Sequence, residues 1–275
     1  MKKLPLTQIC FSLFVCACSC ATAKAVTLPF TDSFESGDFR HWNGGRTSGF
    51  SVSPTNVHSG SYAACGTSFP GKKTDYYQDA NFGDHPRAHG QAVKDGLYVK
   101  FAHNFGPGFD LGTTANHHKV LLINFEDDND LRREQIILNV FGNTANRNNH
   151  RQYVIENIHW DADRSFNSSR FILQNRGTPV AYRPGQWDII KIYIRPNTSG
   201  RTDGTVRVWI NGEIKIEHTN ISIRKSTYNP NLVIIGFYAP YTDIRGTRCW
   251  DDIIISESDP DIREHGGLNS PAQIR

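Results

Sequence analysis

The stretch Gly185-Gln-Trp-Asp-Ile-Ile-Lys-Ile-Tyr-Ile-Arg195, followed by Asp203-Gly-Thr-Val-Arg-Val-Trp-Ile-Asn-Gly212, decides the fold class. Successive side chains of a strand point to opposite faces. On the first run Ile190, Ile192 and Ile194 therefore share one face, and Trp187, Lys191, Tyr193 and Arg195 share the other. On the second run Val206, Val208 and Ile210 stand against Arg207 and Trp209. Pro196-Asn-Thr-Ser-Gly200 between them has turn chemistry, so the two runs read as a hairpin. Its aliphatic side faces a core, and its cationic, aromatic side faces outward.

The same alternation extends outward from this hairpin. Leu97–Phe105, Lys119–Phe125, Gln135–Phe141, Gln152–Trp160, Arg170–Gln174, Leu232–Tyr238 and Trp250–Ser256 are rich in Ile, Val and aromatics. No long stretch has helical spacing, and only single helical turns are expected, for example near Asp127–Arg133. The chain of 275 residues is 38% apolar, 11% aromatic and 21% charged, which excludes full disorder, collagen and coiled coil. Gly 23 and Pro 13 are too many for a helical bundle. The expected fold is all-β, a two-sheet sandwich or a barrel, forming one domain over 26–275.

Residues 1–25 read as a secretory signal: Lys2 and Lys3, then apolar Leu4 to Ala21, then Ala23-Lys24-Ala25 as a small-x-small cleavage site. A secreted or periplasmic location, with no membrane span, follows as an expectation. Thirty basic residues less the three lysines of the leader equal the 27 acidic ones, so nucleic-acid binding gains no support. Four of the six cysteines fall in the leader, leaving Cys65 and Cys249 for one disulfide. Closing so long a loop contributes up to about 5 kcal/mol. Asn167, Asn197 and Asn220 open glycosylation sequons.

Several segments resemble a known family. Ser33-Phe-Glu-Ser-Gly-Asp-Phe-Arg-His-Trp42 is similar to the opening strand of concanavalin A-like (laminin G-like) jelly rolls. The 185–212 hairpin resembles the central hairpin of jelly-roll polysaccharide lyases. Leu97-Tyr-Val-Lys-Phe101, with Gly108-Phe-Asp110 and His118-Lys119, resembles preceding strands of the alginate, glucuronan and heparin lyase-like groups, and Trp250-Asp-Asp-Ile-Ile-Ile-Ser256 their closing strand. The resemblance implies a concanavalin A-like β-jelly roll that cleaves an acidic, uronate-containing polysaccharide by β-elimination. A non-catalytic lectin-like or adhesion domain is the alternative. No cofactor is required, although related sandwiches imply a structural Ca²⁺ near Glu35 and Asp251. A monomer is expected.

β-Elimination needs a donor that neutralises the uronate carboxylate, a base for the adjacent proton and an acid for the leaving oxygen. Candidate neutralisers are Arg170, Arg207, Gln152 and Asn157. Candidate bases are His118, His159 and Lys191, and candidate acids are Tyr153 and Tyr193. Trp209, Arg207, Arg195, Gln152 and Asn157 are candidate substrate-binding residues, because indole stacks on a pyranose and guanidinium pairs with carboxylate. By alternation His118, Asn124 and Glu126 share a face opposite Lys119. Gln152, Glu156 and Trp160 likewise oppose Tyr153, Asn157 and His159. No zinc spacing, phosphate-binding glycine motif or paired-carboxylate glycosidase motif is present, and no metal site is assigned.

Overall fold

The computed structural model describes residues 26–72, 74–88, 90–112, 118–129, 131–140, 152–161, 166–239 and 244–262. The leader and His117 lie outside the described residues. These form fifteen strands: β1 (Phe30–Asp32), β2 (Gly44–Arg46), β3 (Phe50–Ser53), β4 (Ala63–Ser68), β5 (Thr74–Asn81), β6 (Leu97–Phe105), β7 (His118–Glu126), β8 (Arg132–Val140), β9 (Tyr153–Trp160), β10 (Phe166–Ile172), β11 (Trp187–Arg195), β12 (Gly204–Ile210), β13 (Glu213–Ile221), β14 (Leu232–Ala239) and β15 (Gly246–Ser256). One sheet runs β13-β12-β11-β6-β15-β4-β3, with β1 joined to β15, and the other runs β10-β9-β8-β7-β14-β5-β2. Pairing is antiparallel throughout, as in β6–β11 and β7–β8. The fold is an all-β, two-sheet antiparallel sandwich, the jelly roll that the family resemblance implies.

The late hairpin forms as read, with Lys191 opposite Trp209 and Ile192 opposite Val208. Ile190, Ile192, Ile194, Val206, Val208 and Ile210 are buried between the sheets with Phe125, Ile136, Leu138 and Ile155 of the facing layer. Asn211 and Gly212, both at positive φ (53° and 83°), make the two-residue turn into β13 that suits strand twist. Cys65 and Cys249 face each other on β4 and β15 and form the disulfide, 184 positions apart in sequence.

Three local expectations change. No helical turn occupies 127–133 among the described residues. Asp127 instead closes a hairpin turn by accepting the Asn129 and Leu131 N–H groups, and β8 already begins at Arg132. Ser33–Trp42 is a turn rather than a strand, fixed by Asp32, whose carboxylate accepts the Phe34 N–H and the Trp42 indole N–H. β10 ends at Ile172, so Gln174 lies beyond it and bonds Tyr153 O and Val180 O.

A bulge in β7 matters most for the site. The register with β8 slips between Lys119 and Leu121, leaving Val120 as the extra residue. Arg248 and Trp250, reaching across from β15, donate to the carbonyls of Lys119 and Val120. Lys119 therefore shares the outer face with Leu122, Asn124 and Glu126, while His118 turns inward with Val120.

Polar side chains at one end of the sandwich anchor the connection from β13 to β14. Glu134 accepts the Lys225 and Ser226 N–H groups, and Asn157 donates to Ile223 O. The fully buried Asn197 donates to Thr198 O, Arg201 O and Arg224 O and accepts from the Ile223 and Arg224 N–H groups. That sequon is spent on structure. Glu35 and Asp251 likewise hold the 58–62 loop through its backbone N–H groups. No group of three or more His, Cys, Asp or Glu among the described residues is arranged for a metal. No helix among the described residues is long and apolar enough to cross a membrane.

Candidate functional site

A groove of about 620 Å³ crosses the outer face of the seven-stranded sheet, touching residues from β2 to β9. Five inter-strand steps of ~4.8 Å make it roughly 24 Å long, enough to lay several sugar rings across the strands. At one end are Arg46, ion-paired with Asp75 at 2.7 Å, and Tyr77. At the other the Arg132 guanidinium lies 5.2 Å from the Trp160 ring centroid. Arg87 contributes a further cation from the segment after β5.

The floor is a chain of buried polar groups that ends on the exposed Arg132. Arg132 donates to Gln135 Oε1 (3.4 Å), Gln135 Nε2 to Asn124 Oδ1 (2.7 Å), and Asn124 Nδ2 to Glu126 Oε1 (2.9 Å). The other Glu126 oxygen meets His85 Nε2 at 3.2 Å, and Asn231 brackets the Glu126 backbone from both sides. Each amide orients the next, so the row presents a fixed pattern of donors and acceptors.

Lys119 and Glu156 line the same groove. Burial pushes the Lys119 ammonium below the ordinary lysine range, and nearby Arg132 pushes the same way, against the pull of Glu156. Burial raises the Glu156 carboxyl, opposed by the Asn139 hydrogen bond and by Lys119. A lysine lowered toward its neutral amine, sharing one groove with a guanidinium and an amide row, offers a proton acceptor and anion-stabilising donors in the same cleft.

The residues singled out from the sequence fall elsewhere, with the exceptions of Lys119, Asn124, Glu126, Glu156 and Trp160. Lys191, Tyr193, Arg195, Arg207 and Trp209 lie together, but on the outer face of the eight-stranded sheet, away from the groove. There Tyr193 stacks on Tyr98 at 4.5 Å, Arg207 pairs with Glu217 at 3.0 Å, and Arg195 donates to Asp203 O. Tyr153 is a core residue: its hydroxyl donates to Asp188 at 2.9 Å, and burial, then the Asp188 charge, push its pKa well up. His118 is buried, turned inward by the bulge. His159 lies in the seam beside Glu134 and Lys225, its pKa lowered first by burial. Asn157 holds the 222–223 carbonyls, and Arg170, opposite it in register, is exposed on that same side rather than in the groove. Gln152 forms an isolated bridge with Ala181.

Sequence reasoning missed Arg46, Tyr77, His85, Arg87, Arg132 and Gln135 as site residues. The available signal was the polar series Asp75, Tyr77, Asp79 and Asn81 at alternate positions of β5. Tyr76 and Gln78, both buried, blur it on the opposite face.

No family model matches the chain, and no curated protein matches it by sequence. Solved structures do match. An endo-β-1,4-glucuronan lyase from the fungus Trichoderma reesei superposes with a TM-score of 0.56 at 14% identity, covering 82% of this chain and 94% of the other. The fold is that of the jelly-roll polysaccharide lyases. A variant alginate lyase bound to alginate trisaccharide gives a TM-score of 0.55 at 11% identity, over 78% of this chain and 88% of that one. A marine PL-14 alginate lyase from Aplysia kurodai gives 0.50 at 11%, over 75% and 86%. At such identities the shared property is the architecture, and function rests on the groove itself.

Proposed function

We propose that this jelly roll is an exported polysaccharide lyase that binds an acidic, uronate-containing polysaccharide across the seven-stranded sheet and cleaves it by β-elimination. The observation that carries this reading is Lys119, a lysine lowered by burial and set among Arg132, Gln135 and Glu156 in an open groove. Arg132 and the Gln135 amide neutralise the uronate carboxylate, which acidifies the neighbouring C–H. The Lys119 amine takes that proton. The C–H electron pair becomes the new C=C bond as the C–O bond to the leaving sugar breaks, and the leaving oxygen takes a proton from the Tyr77 hydroxyl or from Lys119 itself. Glucuronan and alginate are the polymers named for the structural neighbours, and they choose the first substrates to try. The leader and the disulfide support export.

Four acidic residues, Asp75, Asp79, Glu126 and Glu156, also line the groove. They suit the hydroxyls of a neutral sugar and favour, as a second reading, carbohydrate binding without cleavage. Purified protein incubated with glucuronan, alginate and a heparin-like chain separates the two. Ultraviolet absorbance of unsaturated uronate ends is the expected result, and retention of polymer with no unsaturated product would overturn the lyase reading.

A further inference from the structure

Lys100 on β6 and Lys191 on β11 stand directly opposite each other on the outer face of the eight-stranded sheet, and Trp209 flanks Lys191 on β12. Facing like charges repel, so this row calls for an anion. The chain supplies one from just beyond β15. Asp261 reaches both lysines, 2.5 Å from Lys100 Nζ and 2.8 Å from Lys191 Nζ, and Asp259 lies 2.9 Å from Lys191 Nζ. Lys191 Nζ also sits 4.5 Å from the Trp209 ring centroid. Next to the aspartates a recess of about 460 Å³ remains, walled by Trp209, Ile189, Lys100 and Gly212.

The two halves of this contact differ in kind. The cations rise from paired central strands, with Lys191 nearly buried, whereas the carboxylates sit on a short turn and the Asp261 side chain is 47% exposed. An ion pair of that exposure is weakly held and salt-sensitive. Two carboxylates a residue apart, a pair of fixed ammonium groups and an indole wall match what successive uronates of a polymer would present and require.

We propose that this face is a second polyuronate-binding site, separate from the groove, which Asp259 and Asp261 hold masked by occupying the places of the polymer's own carboxylates. The choice of polymer rests on the reading of the groove; the masking does not. A polymer strand that displaces Asp261 gains both lysines and the Trp209 platform, and it anchors the protein to its substrate from the side opposite the groove.

The test is affinity electrophoresis through alginate at low salt, in a Lys119→Met background so that the gel matrix stays intact. Asp259→Asn/Asp261→Asn is expected to bind at least tenfold more tightly than its parent, and adding Trp209→Ala should remove that gain. Asp261→Asn alone leaves Lys191 paired with Asp259 and is expected to gain about threefold. It serves if the double variant does not fold, with thermal melting as the check. No gain in the folded single variant, or a gain that survives Trp209→Ala, would overturn the masking and leave only a general charge effect. Failure of the groove reading shows separately, as absence of unsaturated product from the wild-type chain.

Discussion

Replacing Lys119 tests the chemistry most directly. If its amine is the general base, Lys119→Met removes proton abstraction while the amide row and Arg132 stay in place. Loss of a general base costs roughly 10²–10⁴-fold in rate, or about 2.7–5.4 kcal/mol in the barrier. The effect should fall on kcat, with KM changing less, because the uronate carboxylate still meets Arg132 and Gln135. The pH dependence follows from the lowered ammonium. The active form is the neutral amine, so kcat should rise with pH through a value below the ordinary lysine pKa of about 10.4. Lys119→Arg keeps the charge but not the titration, so raising the pH should not restore activity. Stability moves in a matching sense. A lysine lowered in the folded state carries an unfavourable charge below its folded pKa, and that penalty fades as pH climbs toward the unfolded value. Lys119→Met is therefore expected to leave urea stability at neutral pH unchanged or higher. Initial rates of unsaturated-product formation between pH 6 and 10 make the assay. Lys119→Met within tenfold of wild type, or a fully active Lys119→Arg, would refute the assignment.

Three further outcomes are expected. Cys65→Ala/Cys249→Ala frees a loop closed over 184 positions. That costs up to about 5 kcal/mol, or a fall of roughly 10–20 °C in calorimetric Tm; an equal Tm with and without reductant would contradict it. Tyr153→Phe strips Asp188 of a buried hydrogen bond, for about 1–3 kcal/mol by urea denaturation, with kcat unchanged because the hydroxyl lies in the core. Asn197→Ala removes five hydrogen bonds from a fully buried site, so a loss above ~3 kcal/mol is expected in the same assay.

The architecture was legible because its signal is redundant. Ile190, Ile192 and Ile194 against Val206, Val208 and Ile210 fix inside from outside with no other information. The site was harder, since alternation gives each strand two faces and does not say which sheet carries the open outer face. Both outer faces bear lysine, arginine and aromatic residues, but only the Lys191–Trp209 row lies within one hairpin contiguous in sequence, where alternation displays it; the Lys119–Arg132 row is split between β7 and β8 and goes unread. One inserted residue, Val120, reversed the parity of His118 and Lys119. Asn157 was misleading for another reason: with Glu134 it is an inward-facing polar residue at a sandwich end that hooks a crossing loop, a role that needs tertiary context.

Arg248 is wholly enclosed, its guanidinium pushed down to about 10 by burial and wedged near the rings of Phe105, Phe109 and Trp250. From there it grips the main chain of Lys119, as Trp250 grips that of Val120. The aim of the groove lysine is thus set from behind, through the whole thickness of the sandwich. If the groove acts as proposed, adjusting these two struts would retune turnover without altering any groove atom.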